Sequence, residues 1–185
     1  MTRDIRTRRT TQKIVQAASE LILTQGVAHL TLEAVAKKAG VSKGGLLHHY
    51  PSKEALISGL VNHLDRQFDE ELQHVLAAEQ PEPGSWLRAY IRTSLQMESE
   101  MLEQGVGLLA TLATNPELLA PFQQSFARYQ QQAQQAGIDP VMGTIIRLAV
   151  DGLWLSDLFH LTPPVGDLRE QVVAKLIEMS RTTEE

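Results

Sequence analysis

Cysteine is absent from the 185-residue chain, which excludes a disulfide scaffold, a thiol nucleophile and any zinc site built on thiolates. Low-complexity tracts are absent too, and 43% apolar with 21% charged residues is the composition of a globular chain. No segment alternates apolar and polar residues as a half-buried strand must. No Gly-rich phosphate loop, Ser-centred elbow or His-Glu-x-x-His pattern occurs, so neither catalysis nor a cofactor is expected. His48 and His49 are adjacent and point to different helix faces, a poor metal pair. Asp157 and His160 have i, i+3 spacing that could share a metal, but structural polar contacts are the simpler reading. Met1-Thr2-Arg3-Asp4 carries no apolar signal core, which makes a cytoplasmic protein the expectation. At about 100–200 residues per domain, the length fits one large domain or two small ones.

The net charge of −5 hides an uneven distribution. Residues 1–66 hold ten Lys/Arg against five Asp/Glu, a balance of +5, whereas residues 67–185 carry −10. A basic end on an acidic body points to a polyanion-binding module joined to something that does not bind polyanions.

The periodicity is helical throughout, and the expected class is all-α with about nine helices. Ile14, Ala17, Ala18, Leu21 and Ile22 form one stripe, stopped by Gly26. Thr31 caps a short helix carrying Leu32, Val35, Ala36 and Ala39, closed by Gly40. Ser42 caps a third segment from Lys43 to about His49. After Pro51, Ser52 can cap a long fourth helix with the stripe Leu56, Leu60, Leu64, Phe68, Leu72, Val75 and Leu76. Further segments are expected at Trp86–Gln96, Met101–Ala113, Pro116–Ala136, Val141–Leu161 and Leu168–Met179, separated by Pro and Gly. Val141–Leu161 is long enough to span a bilayer, but Arg147, Asp151, Asp157 and His160 within it exclude that. It is apolar on nearly every face, so one face is expected on its own core and another on a second subunit.

Two short helices joined by Gly40-Val41-Ser42 match a helix-turn-helix. Val35, Ala36 and Ala39 are apolar where the first helix faces the core, Gly40 permits a positive φ, and Val41 and Leu46 fill the space between the helices. The exposed residues of the second helix are then Ser42, Lys43, Gly44, Gly45, Leu47 and His48, placed to meet base edges in a major groove. Ser42 and Lys43 can donate to phosphates or to guanine. Gly44 and Gly45 each cost about 1 kcal/mol in a helix relative to alanine. Close approach of DNA explains them; a merely loose surface helix is the alternative. Tyr50, Lys53 and the free N–H groups opening the Lys53 helix suit phosphate clamping, although Tyr50 can equally be a core aromatic. Arg3, Arg6, Arg8 and Arg9 form a basic arm before the first helix, able to follow phosphates or enter a minor groove, and often disordered without DNA.

The order of these features resembles a TetR-type regulator. Gly26-Val27 precedes Thr31; then come Ala36, the Gly40-Val41-Ser42-Lys43-Gly44 turn, and Tyr50-Pro51-Ser52-Lys53-Glu54 leading into a long helix. The resemblance covers roughly residues 8–64; beyond them Asp151-Gly152-Leu153-Trp154 looks like the dimer-forming helix of many members. It implies DNA contacts by Thr31, Ser42, Lys43, Gly44, His48 and Lys53. It departs at Leu47, where the family usually has a phosphate-binding tyrosine; that contact is lost or passes to His48 or Tyr50, and Leu47 can instead touch a thymine methyl.

The expected division is a DNA-binding head, residues 1–52, and a ligand-binding and dimerisation body, residues 53–185. For pairing, Pro116–Ala136 and Val141–Leu161 are expected to form a four-helix bundle with their symmetry mates. For a small apolar effector, Trp86, Tyr90, Met97, Met101, Phe122, Phe126 and Trp154 are the candidate lining, with Ser94, Thr111 and Asn115 as polar groups; all can also be ordinary core. The expected function is a homodimeric repressor released from a palindromic operator on double-stranded DNA by a small molecule, with no membrane partner. The alternative is a ligand-independent DNA-binding or partner-interaction protein on the same fold.

Overall fold

The structure, a computed structural model, describes residues 2–26, 29–96 and 119–181. Every regular element among them is helical, and they divide into two compact units. No helix among them is long and apolar enough to cross a membrane. The expected segment Met101–Ala113 lies outside the described residues.

The first unit comprises residues 1–65 and 103–122. Its α1 runs Thr2–Gln25 and stops at Gly26, whose φ is 78°. Arg3, Arg6, Arg8 and Arg9 therefore do not form an arm before the helix; they lie in its first turns. The physical reason is that no Pro or Gly separates Thr2 from Ile14, and arginine is a good helix former. Next come α2 (Leu32–Ala39) and α3 (Lys43–His49). The long α4 (Lys53–Ala78) supplies Leu56, Ile57, Leu60 and Val61 to the same core. It also takes Ile14, Ala18 and Leu21 of α1, Leu30 just before α2, Val35 and Ala36 of α2 and Leu46 of α3. Each large side chain buried this way contributes about 1.5–3 kcal/mol.

The second unit comprises residues 66–102 and 123–185. It takes the second half of the α4 stripe, with Leu72 buried and Phe68, Val75 and Leu76 packed on the same core. It adds α5 (Ser85–Leu95), α6 (Ala120–Gln134, from Gln123 onward), α7 (Pro140–Leu158) and α8 (Gly166–Met179). Helix α5 is central: eight of its eleven residues, from Trp86 to Ser94, are buried, including Arg88. Arg88 is held by Glu79 Oε2 at 2.9 Å and by the Pro83 carbonyl at 3.1 Å.

Helix α7 buries Ile146 and Val150 on this core. Its opposite side leaves Val141, Ile145, Leu148 and Leu155 exposed, followed by Phe159, Leu161, Val165 and Leu168. Helix α6 shows no such residue; Gln123, Gln124, Gln131, Gln132 and Gln134 face outward there. Among the described residues, the exposed large apolar side chains thus lie on α7, the turn after it and the start of α8.

Candidate nucleic-acid interface

Local capping chemistry sets the geometry of the reading head. Thr31 Oγ1 accepts the Ala34 N–H at 3.1 Å and starts α2. Gly40 ends it in the left-handed region at φ 65°, while the Val41 N–H returns to the Ala36 carbonyl at 3.0 Å. Ser42 Oγ then accepts the Gly45 N–H at 3.1 Å and starts α3. Leu46 is completely buried, and Ala39 and Val41 pack against the same core. Each expected structural role in the turn is filled by the expected residue. On the far side, His49 Nδ1 lies 3.3 Å from Thr11 Oγ1, tying α3 to α1.

Ser42, Lys43, Gly44 and His48 form the exposed face of α3, and Thr31 is exposed at the start of α2. Gly45 and Leu47 are only half-exposed, contrary to expectation. Gly45 is turned toward its own cap, and a Cβ there would sit 3.1 Å from Ser42 Oγ. At Gly44 a Cβ would meet nothing within 4 Å, so nothing inside the chain requires glycine there. The ring of Tyr50 packs on the first-unit core and occupies the space that a Cβ on Gly59 would need. The ring of Tyr50 is therefore structural, and the residue keeps a half-exposed edge beside α3.

Two electrostatic features were not anticipated. Lys43 Nζ forms an ion pair with Glu33 of α2, both side chains remaining well exposed at 59% and 63%. The Lys43 hydrogen bond, with the Glu33 backbone amide, holds the Glu33 carboxyl below its ordinary range. At the start of α4, Ser52 Oγ accepts the Ala55 N–H at 3.1 Å. Glu54 accepts its own backbone amide, which with Ser52 lowers its carboxyl pKa. Two amides expected to meet phosphate thus already have acceptors, and Lys53 is half-buried beside them.

In the second unit the expected effector residues are sorted by the packing. Trp86 stacks on Tyr90 with centroids 5.0 Å apart, and Phe126 joins through Tyr129 at 6.1 Å. Phe68 and Tyr129, overlooked in the sequence because they lie on α4 and in a glutamine-rich helix, complete the cluster. Phe122 packs on the first-unit core. Met97, Met101, Thr111 and Asn115 lie outside the described residues.

A polar chain runs beside these rings. Tyr90 Oη donates to Asp151 Oδ1 at 2.6 Å, and Asp151 Oδ2 pairs with Arg147. Arg147 Nε donates to Gln130 Oε1 at 2.7 Å, and Gln130 Nε2 to Thr144 Oγ1 at 2.9 Å. Burial holds the Asp151 carboxyl above its ordinary range, although Tyr90 and Arg147 pull the other way. Burial, reinforced by the Asp151 charge, raises the Tyr90 phenol far above its own, so it stays a donor. Asp157 is taken by Arg169 at 3.0 and 2.7 Å, and among the described residues no cluster suits a metal ion.

Similarity to known proteins runs along both units. A family model described as bacterial regulatory proteins, tetR family, matches residues 14–60. One described as tetracyclin repressor-like, C-terminal domain, matches residues 84–181. The nucleoid occlusion factor SlmA of Vibrio atlanticus is 27% identical over 131 residues, covering 67% of this chain and 64% of that one. The chain thus spans a little under two thirds of that relative's length. The HTH-type transcriptional regulator BetI of Yersinia pestis is 24% identical over 163 residues, 78% of each chain. Among solved structures, a TetR-family transcriptional regulator from Rhodococcus sp. superposes with a TM-score of 0.72 at 18% identity, covering 94% of this chain and all of that one. The multidrug binding protein EbrR, complexed with imidazole, gives 0.71 at 19% identity, covering 94% and 96%. At these identities the structural likenesses speak for the fold.

Proposed function

The chain belongs to the TetR family of bacterial regulatory proteins, and from that premise we propose a homodimeric repressor that leaves a palindromic operator when a small, largely apolar ligand binds its second unit. The observation that carries the reading is the exposed Ser42-Lys43-Gly44 face of α3, rigidly capped and backed by the buried Leu46. Side chains at the start of a helix backed this way can reach base edges, while Thr31, Tyr50 and Lys53 beside it can hold phosphates. The head is residues 1–52 and the body residues 53–185, with α4 as one continuous helix that contributes to both cores.

Pairing is supported by the exposed stripe of α7. Val141, Leu148 and Leu155 recur every seven residues, and Ile145, Gly152 and Phe159 do the same between them. That is a coiled-coil seam in which Gly152, with open space around it, permits close approach. A two-fold axis through such a seam would set two reading heads about 34–36 Å apart, one turn of DNA. A ligand shifts operator affinity only by its differential affinity for the bound and released forms.

The test is selection of bound fragments from random DNA, then footprinting of the winner. A two-fold symmetric site with half-sites about 10 bp apart is expected; no enriched sequence at low salt would remove the repressor reading. The similarity to SlmA, a nucleoid occlusion factor, favours one second reading, a ligand-independent DNA-binding protein. An operator affinity that no small molecule changes would select it.

A further inference from the structure

A carboxylate on the reading face of a head that binds a polyanion carries a cost, since it repels phosphate. Glu33 is such a carboxylate. It lies exposed in the first turn of α2 and forms an ion pair with Lys43, the first residue of α3. It also accepts its own backbone amide, so its carboxylate is held from the α2 side as well as by the lysine. Stability is a poor explanation for the pair. With Lys43 59% and Glu33 63% exposed, water and salt screen it, and exposed ion pairs contribute little to folding. The same exposure leaves both charged ends open to anything that meets α3.

What the pair does to Lys43 depends on what Lys43 meets. A phosphate offers acceptors alone. To reach one, the ammonium must leave Glu33 or carry the carboxylate toward a second anion, and either way its attraction for DNA of any sequence is blunted. The major-groove edge of a G·C pair is different. Guanine presents two adjacent acceptors, O6 and N7, and cytosine N4 presents a donor beside them. An ammonium fits the acceptors and a carboxylate fits the donor, so this edge satisfies Lys43 and Glu33 together. At A·T the adenine N6 donor lies between two acceptors, and the thymine methyl flanks them. Gly44, which follows Lys43, has open space where a side chain would stand, so a base edge can come close.

Resting on the reading of α3 as the helix that meets the operator, we propose that Glu33 is a specificity-determining residue of the head. With Lys43 it reads one G·C pair in each half-site, Lys43 donating to guanine and Glu33 accepting from the cytosine amino group. Away from that pair it withholds Lys43 from phosphate. Discrimination then comes from weakened binding to wrong sequences as much as from contacts made at the right one.

The test uses the full-length protein with Glu33→Gln, Lys43→Met and the two combined, all at exposed positions and expected to melt with the parent. Selection from random DNA is repeated with each. Affinity for a duplex of unrelated sequence is followed by fluorescence anisotropy from about 50 to about 200 mM salt. Glu33→Gln should bind that duplex more tightly, with a log–log salt slope steeper by about one per head, and its ratio of operator to unrelated affinity should fall about tenfold. The double variant replaces a neutral pair by a neutral pair and should return to the parent's slope. The parent should enrich G·C at one position of each half-site, and Glu33→Gln and Lys43→Met should both relax the choice at that same position. An unchanged slope in Glu33→Gln, or relaxation of the two variants at different positions, overturns the proposal. The two readings fail in different ways. A symmetric site selected equally by the parent and Glu33→Gln defeats the role of Glu33 alone, whereas a parent that enriches no sequence defeats the repressor reading and this proposal with it.

Discussion

At the scale of single residues, Gly44 is where stability and function part company. It lies in a helix, exposed, with open space where a Cβ would go. Gly44→Ala should therefore raise stability by up to about 1 kcal/mol, the helix propensity difference. It should weaken operator binding, because the added methyl meets only DNA. Thermal melting and anisotropy on one preparation check both signs; a variant that binds as well as the parent would make Gly44 a mere loose turn. The caps at Thr31 and Ser42 and the turn at Gly40 were legible because each depends on one side chain and its immediate backbone. The Glu33–Lys43 pair was not, because it joins two helices and needs their crossing geometry. The amides at Glu54 and Ala55 are occupied because a cap at Ser52 consumes the very N–H groups that would otherwise open the helix to phosphate.

Elements are held to each other in the second unit by the chain from Tyr90 through Asp151, Arg147 and Gln130 to Thr144, which ties α5, α7 and α6. Asp151→Ala strands the Arg147 guanidinium in a buried setting and should destabilise by about 3 kcal/mol in urea unfolding. Asp151→Asn keeps an acceptor for Tyr90 and should cost less. Because burial raises the folded-state value of Asp151, its contribution is fully present below the ordinary 3.8 and is lost as pH rises through the raised value. The stability gap between the parent and Asp151→Asn should thus narrow as pH rises above 3.8. Helix existence was readable from periodicity nearly everywhere; partnership was not. The basic residues before Ile14 read as an arm because they carry no apolar stripe, yet α1 begins at Thr2. Phe122 and Phe126 read alike as candidate lining, but Phe122 packs on the first-unit core and Phe126 on the Tyr129 ring.

For the whole molecule, the helix-turn-helix spacing around Gly40-Val41-Ser42 carries the functional reading in the sequence, and the charge split and the apolar surplus of residues 141–161 support it. Both α6 and α7 were expected in the pairing bundle; glutamines on α6 are neutral and look neither inside nor outside in a sequence, and the exposed large apolar residues lie on α7. Leu148, 55% exposed in the single chain, gives the test. Leu148→Glu should fold normally, sediment as one chain where the parent sediments as two, and lose at least tenfold in operator affinity. Equal sedimentation of the two proteins would place the partner face elsewhere. The same seam has a consequence for dosage. A protein whose exposed leucines are covered only by its twin gains stability by mass action, so its melting temperature rises with its own concentration. At low copy number more chains are single, and single chains with an apolar stripe are the ones that proteases and aggregates capture. Abundance would then be buffered from below, with scarce repressor removed faster than its synthesis rate alone implies, and promoter release would sharpen as the copy number falls.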